Sequence, residues 1–176
     1  MSSTFTQDTR RAKLSTELGE DKLVLLRMHG TEELSGDFEW QVEALSSDDG
    51  IDLNALLGTH ATVSIKSELG ERFFDGLVAE ARWVGYSENG IRYDLVLRPW
   101  MHVAGLRRNN KIFHNQPVDS ILNEVFGSYS AMGAPHVEMR LSDDYPELES
   151  TVQFSESDAD FAARMMERFG ITWSWE

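Results

Sequence analysis

The chain has no cysteine. Structural disulfides, zinc–thiolate sites, iron–sulfur clusters and a thiol nucleophile are therefore all excluded. Basic residues are scarce beside acids: 16 Lys and Arg face 30 Asp and Glu, a net charge of -14. That surplus repels phosphate backbones and argues against sequence-independent nucleic-acid binding. It suits solvated acidic faces, with electrostatic docking to a partner as the sharper alternative. No apolar run reaches the roughly 20 residues of a membrane span, so no stable membrane anchor is expected. Residues 1–8, Met1-Ser2-Ser3-Thr4-Phe5-Thr6-Gln7-Asp8, lack the apolar core of a secretory signal. Cytoplasmic synthesis without a signal peptide is expected, with any export by another route. Repeats of fixed period and low-complexity tracts are also missing.

Catalytic signatures are equally scarce. His29, His60, His102, His114 and His136 never stand at the H-E-x-x-H spacing of a helical metal site. Glu156, Asp158 and Asp160 cluster, but the D-x-D-x-D-G order of a calcium loop is absent; they read as acids favouring a helix N-terminus. Asp143 and Asp144 read as solvating a turn. Carboxylate pairs that could serve a glycosidase are unavoidable among 30 acids and carry no specificity. Gly127-Ser128-Tyr129-Ser130-Ala131 fails the spacing of a nucleophile elbow, and neither a P-loop nor a G-x-G-x-x-G is present. No catalytic residue, no cofactor-binding residue and no metal ligand is expected, and the chain is not expected to be an enzyme. Trp40, Trp83, Trp100, Trp173 and Trp175 lie in or beside alternating strands, which favours core or subunit-interface packing over a ligand-binding stack.

What is present is periodicity. An apolar run spans Leu23 to Met28. Phe38, Trp40, Val42 and Ala44 alternate with polar residues, as do Ala61, Val63 and Ile65, and Ile91, Tyr93, Leu95 and Leu97. Period two means strands with one dry face. Phe74 to Val84 is a long strand whose Gly76 marks a bulge or a close backbone approach. Ser87-Glu88-Asn89-Gly90 reads as a hairpin with positive φ at Asn89 and Gly90. Ile51 to Leu57 reads as a helical turn closed by Gly58. These short strands predict an antiparallel barrel or sandwich. Beyond residue 105 the pattern changes. Arg107 to Lys111 is a polar connector, and Ile112 and Phe113 open a strand. Val118, Ile121, Leu122, Val125 and Phe126 recur at helical spacing between Pro117 and Gly127. His136 to Leu141 reads as a strand, as does Thr151 to Ser155. Ser157 then caps a helix with Asp160 three residues on, Phe161, Met165 and Phe169 on one face, and Gly170 at its end. Ile171, Trp173 and Trp175 alternate as a last strand. The expected architecture is a β-rich α+β chain, with a barrel domain over residues 1–105 and a smaller α+β domain over 106–176.

A series of short motifs, in order, resembles the VgrG family of type VI secretion spike proteins over nearly the whole chain. Leu34-Ser35 followed by Phe38 resembles an early "L-S-x-x-F". Leu56-Leu57-Gly58 resembles "L-L-G", and Phe74, Gly76 and Val78 resemble "F-x-G-x-V". Tyr93, Leu95, Leu97, Pro99 and Trp100 resemble "Y-x-L-x-L-x-P-W", while Lys111-Ile112-Phe113-His114 resembles "R-I-F-Q". The block Gln153, Phe154, Glu156, Ser157, Asp158, Phe161, Arg164, Glu167, Gly170 and Ile171 closes the series. His114 departs where Gln is usual, Trp173-Ser174-Trp175-Glu176 replaces an ending richer in Tyr and Phe, and a cysteine often found near "R-I-F-Q" is missing. Family members continue well past this length, so the chain is expected to be an N-terminal piece.

The resemblance implies a phage tail-tube/hub barrel and a structural role for these motif residues. Three copies would present six barrel-type domains to a hexameric Hcp-type tube and adapt it to a three-fold needle. The implied partners are further copies of the chain in a homotrimer, the tube, baseplate components and effectors. The protein would then be secreted or injected through the type VI apparatus. The hub of a contractile phage-like tail is the close variant; a cell-wall hydrolase or a ligand-binding barrel are readings of another class.

Overall fold

The computed structural model describes residues 5–130, 137–142 and 144–176. They form two compact units: residues up to Glu32 together with Phe38–Pro99, and Glu33–Asp37 together with Trp100–Glu176.

The first unit is one antiparallel sheet. Its strands are β1 (Ala12–Thr16), β2 (Val24–Thr31), β3 (Glu39–Ser46), β4 (His60–Ser67), β5 (Gly70–Ser87) and β6 (Gly90–Arg98), in the order β1-β4-β5-β6-β3-β2. The two clearest alternations in the sequence meet across one ladder. Trp40, Val42 and Ala44 stand opposite Leu97, Leu95 and Tyr93, and all six are buried. Leu14 and Val63 pair on β1 and β4 and are likewise buried. The outer face carries charge: Glu43 on β3 holds Arg27 of β2 and Arg92 of β6, and Arg82 pairs with Asp94.

The sheet curls into a half-barrel, and its two edge strands are tied by a side chain. Gln7 is buried. Its Oε1 accepts from the backbone N–H of Leu14 at 2.8 Å and of Leu25 at 2.9 Å, and its Nε2 donates to the Leu14 carbonyl at 3.0 Å. One carboxamide thus satisfies groups on both β1 and β2 that a backbone ladder would otherwise have to pair.

Two turns use the same chemistry. Ser67 pairs with Gly70 and Ser87 with Gly90. The glycines take φ +131 and +126, and each serine Oγ donates to its glycine carbonyl, at 2.9 and 2.7 Å. The hairpin at Asn89-Gly90 therefore exists, but its central pair is Glu88-Asn89, and neither residue has positive φ. Gly76 proves to be a close approach: a Cβ there would lie 3.0 Å from the Phe38 ring and 3.1 Å from the Arg98 carbonyl. The bulges of β5 fall elsewhere, between Val78 and Glu80 and between Trp83 and Gly85. Residues 51–57 form turns, not a helix. Asp52 Oδ1 accepts from the N–H of Asn54 at 3.0 Å, which caps a turn that no apolar stripe extends.

The second unit runs α1 (Trp100–Leu106), β7 (Arg108–Gln116), α2 (Val118–Gly127), β8 (Leu148–Ser157) and α3 (Asp158–Arg168), with β7 and β8 antiparallel. Its core gathers Met101, Phe113, Ile121, Leu122, Phe161 and Met165. The connector expected at Arg107–Lys111 is mostly strand, because its backbone pairs with β8. Residues 137–141 are not a strand, and His136 and Asp143 lie outside the described residues. Residues 171–176 are not a strand either. They fasten instead to the Glu33–Asp37 loop: Ser35 N–H donates to the Trp173 carbonyl at 2.8 Å, and Trp175 Nε1 donates to the Gly36 carbonyl at 3.0 Å.

Candidate functional site

The residues singled out in the sequence converge most densely at the N-terminus of α3. Ser157 Oγ accepts the Asp160 N–H at 3.0 Å, the expected cap. Asp158, next in the chain, is 3% exposed. Its Oδ2 accepts from the Tyr129 hydroxyl at 2.5 Å and its Oδ1 from Gln153 Nε2 at 2.7 Å. Arg107 approaches to 3.7 Å, and the Asp158 N–H donates to the Arg107 carbonyl at 3.0 Å. One buried carboxylate thus joins β8, the end of α2 and the start of α3, with the positive end of the helix behind it. Burial, and then the Asp158 carboxylate, push the Tyr129 hydroxyl far above the ordinary tyrosine range.

Glu156 and Arg164 make the second link. Arg164 donates to both Glu156 oxygens, at 3.1 and 2.5 Å, and to the Val152 carbonyl at 3.2 Å. The forked contact raises the guanidinium further above its ordinary value. The inner side chains Phe113 and Phe161 stack at 5.4 Å, interplanar 10°. At the far end Gly170, φ +68, closes α3: its N–H donates to the Glu167 carbonyl and the Ile171 N–H to the Met166 carbonyl. This paired return is the Schellman arrangement, which accounts for a Gly-Ile in that place.

The other motif residues are distributed by unit. Phe38, Gly76, Val78 and Tyr93 line the half-barrel interior, with Phe74 edge-on to Trp40 at 5.3 Å. Gly58, φ +76, donates its N–H to the Val78 carbonyl at 2.9 Å. Leu57 is exposed. Pro99 closes the first unit; Trp100 packs against Phe126 and Tyr129. Ser35 holds the last residues through Trp173, while Leu34 is exposed. On the outer face of β7–β8, Ile112 stands opposite Val152. Ile112, Val152 and Phe154 are 58%, 47% and 77% exposed.

Sequence reasoning missed Gln7, Arg107 and Tyr129 as partners. Each sits in polar, aperiodic sequence, where no spacing signals a long-range bond. Among the described residues no group of three His, Cys, Asp or Glu could hold a metal ion. The His60 Nδ1 contact with Asp75, 2.7 Å, is an exposed pair.

A sequence profile of the phage tail baseplate hub (GPD) family matches residues 31–176. This chain belongs to that family. Among curated proteins it is similar to the type VI secretion system spike proteins VgrG1c and VgrG1a of Pseudomonas aeruginosa. VgrG1c is 34% identical over 95% of this chain and 23% of its own length. VgrG1a is 35% identical over 94% of this chain and 25% of its own. The chain therefore spans about a quarter of the length of these relatives. Among solved structures it is similar to the E. coli c3393 protein, a component of the type VI secretion system that exhibits structural similarity to T4 bacteriophage tail proteins gp27 and gp5. That match has TM-score 0.70 and 23% identity over 91% of this chain and 47% of the other, and it shows a shared fold. The VgrG resemblance read from the motifs is thus borne out, as is the β-rich α+β fold class, with a half-barrel sheet standing where a barrel was expected.

Proposed function

We propose that this hub-family chain works as the N-terminal hub of a type VI spike, without catalysis, seating three copies between a hexameric Hcp-type tube and a three-fold needle so that effectors are carried into a target cell. The single observation that supports assembly most is the outer face of β7–β8. Ile112, Val152 and Phe154 form an apolar stripe that the described residues leave exposed, although packing favours burying such side chains. A neighbouring copy of this chain is the occupant that the three-fold arrangement requires. The motif residues supply stiffness: the Asp158 network, the Glu156–Arg164 fork and the Gly170 cap hold α3 rigidly against that sheet. A division of labour is part of the same proposal, with the half-barrel unit meeting the tube and the α+β unit meeting its neighbours. Delivery through the secretion apparatus follows from the same role; no helix among the described residues is long and apolar enough to cross a membrane. A phage-like tail hub is the second reading, favoured by the family description itself.

Light scattering over a range of concentrations tests the stripe. Mass rising from one copy toward three is expected, with Val152→Asp and Phe154→Asp holding the chain at one copy. Identical masses for the parent and both variants at every concentration would refute the role of this face.

A further inference from the structure

The register of β5 against β6 builds an aromatic corner beside an acidic loop. Trp83 stands opposite Tyr93, and Tyr86 opposite Ile91. Tyr93 and Ile91 are buried residues of β6, and partners across a ladder share a face. In a regular strand residues 83 and 86 would point to opposite faces. The extra residue between Trp83 and Gly85 corrects the parity, and Gly85 takes φ +142 to make it possible. The bulge therefore aims two large aromatic side chains to one side, yet does not bury them: Trp83 is 48% and Tyr86 73% exposed. Their rings meet at 5.9 Å and 81°.

The acidic wall is fixed to the same corner. The Tyr86 hydroxyl donates to Asp49 Oδ2 at 3.2 Å. The Tyr93 hydroxyl donates to the Asp48 carbonyl at 2.9 Å, which anchors the loop. Ile51 and Leu53 complete a cavity of about 240 Å³ with Asp49, Trp83, Tyr86 and Tyr93. The nearby cations are engaged with other acids: Lys22 with Asp48, Arg82 with Asp94 and Arg92 with Glu43.

Two π-faces at right angles and a carboxylate together suit a cation. A purely apolar guest would desolvate Asp49 without pairing it, and an anion would be repelled. A planar guanidinium both stacks on aromatic rings and bonds a carboxylate, which an ammonium does less well. The net charge of -14 would draw a basic partner toward the chain from a distance.

We propose that the corner formed by Trp83, Tyr86 and Asp49 receives an arginine side chain presented by a basic partner protein. The probe is a blocked Gly-Arg-Gly peptide, with the citrulline peptide as its uncharged isostere. Two-dimensional NMR of the Trp83 indole and the Asp49 and Tyr86 amides follows binding. A saturable shift confined to these residues is expected. Binding should weaken about tenfold with citrulline, and about fivefold in Asp49→Asn and in Trp83→Leu, in keeping with loss of a charge pair or a cation–π contact. Both substitutions fall on exposed side chains, and unchanged resonances elsewhere report an intact fold. The proposal is overturned by equal binding of citrulline, by unaltered binding in both variants, or by unsaturable shifts spread over all the acidic surface.

Discussion

Replacing Asp158 by alanine is the perturbation whose cost follows most directly from the structure. The substitution removes the acceptor of two buried donors, the Tyr129 hydroxyl at 2.5 Å and the Gln153 amide at 2.7 Å. Each donor left unpaired costs about 1–3 kcal/mol. Loss of a carboxylate at the positive end of α3 adds about 0.3–1 kcal/mol. Arg107 offsets little, because its side chain is 53% exposed and regains water. The sum is about 2–7 kcal/mol, which brackets the roughly 3–5 kcal/mol found when one partner of a buried charge pair is deleted. Tyr129→Phe removes one donor only and should cost about 1.5–3 kcal/mol, a hydrogen bond to a charged group. The double variant should cost less than the sum, with a coupling of about 1–3 kcal/mol. Urea unfolding by circular dichroism gives the energies, and amide exchange in β8 and α3 places the loss. A cost below about 0.5 kcal/mol for Asp158→Ala, the value of an unremarkable surface site, would refute the network's role.

Three further outcomes are expected. Phe161→Ala should cost about 3–5 kcal/mol in urea unfolding, since the ring is fully buried on Phe113; a surface-like value would place α3 wrongly. Gln7→Ala should cost about 2–4 kcal/mol by stranding backbone groups at the half-barrel seam, and should speed exchange of the Leu14 and Leu25 amides, whose bonds it makes; unchanged exchange at both would contradict the seam. Glu43 is held below the ordinary carboxylate range, first by the Arg27 hydrogen bond and, against some burial, by the charges of Arg27 and Arg92. A depressed carboxyl gives its stabilisation in full above the ordinary glutamate value, and loses it as pH falls through the lowered folded-state value. Glu43→Gln should therefore flatten the acid side of a stability–pH curve and leave its slope near neutrality unchanged.

Legibility in the sequence tracked periodicity. β3 and β6 were evident because their buried residues alternate strictly, and α2 and α3 because their apolar residues recur at helical spacing between cap signals. β1 was invisible: Ala12–Thr16 buries only Leu14, too little alternation to register. α1 was not legible: it begins at Trp100, directly after Pro99, and its seven residues bury only Met101 and Ala104, too short a stripe to show helical spacing. The final Trp-x-Trp alternates like a strand but finds a loop instead of a strand edge, and a two-residue period cannot report the absence of a partner. At the candidate site, the signature residues from Gln153 to Ile171 were legible because they are local. Their partners Tyr129 and Arg107 were not, because a bond between residues far apart in sequence leaves no spacing to read. The corner at Trp83 was hidden for another reason: only the bulge at Gly85 puts Tyr86 on the same face, and bulges are set by register, not composition.

The proposed role of this chain is to couple tube to needle. Its most direct test is light scattering of the chain mixed with a hexameric Hcp-type ring. A defined complex of three chains on one ring is expected. Separate elution of ring and chain at every concentration would contradict it.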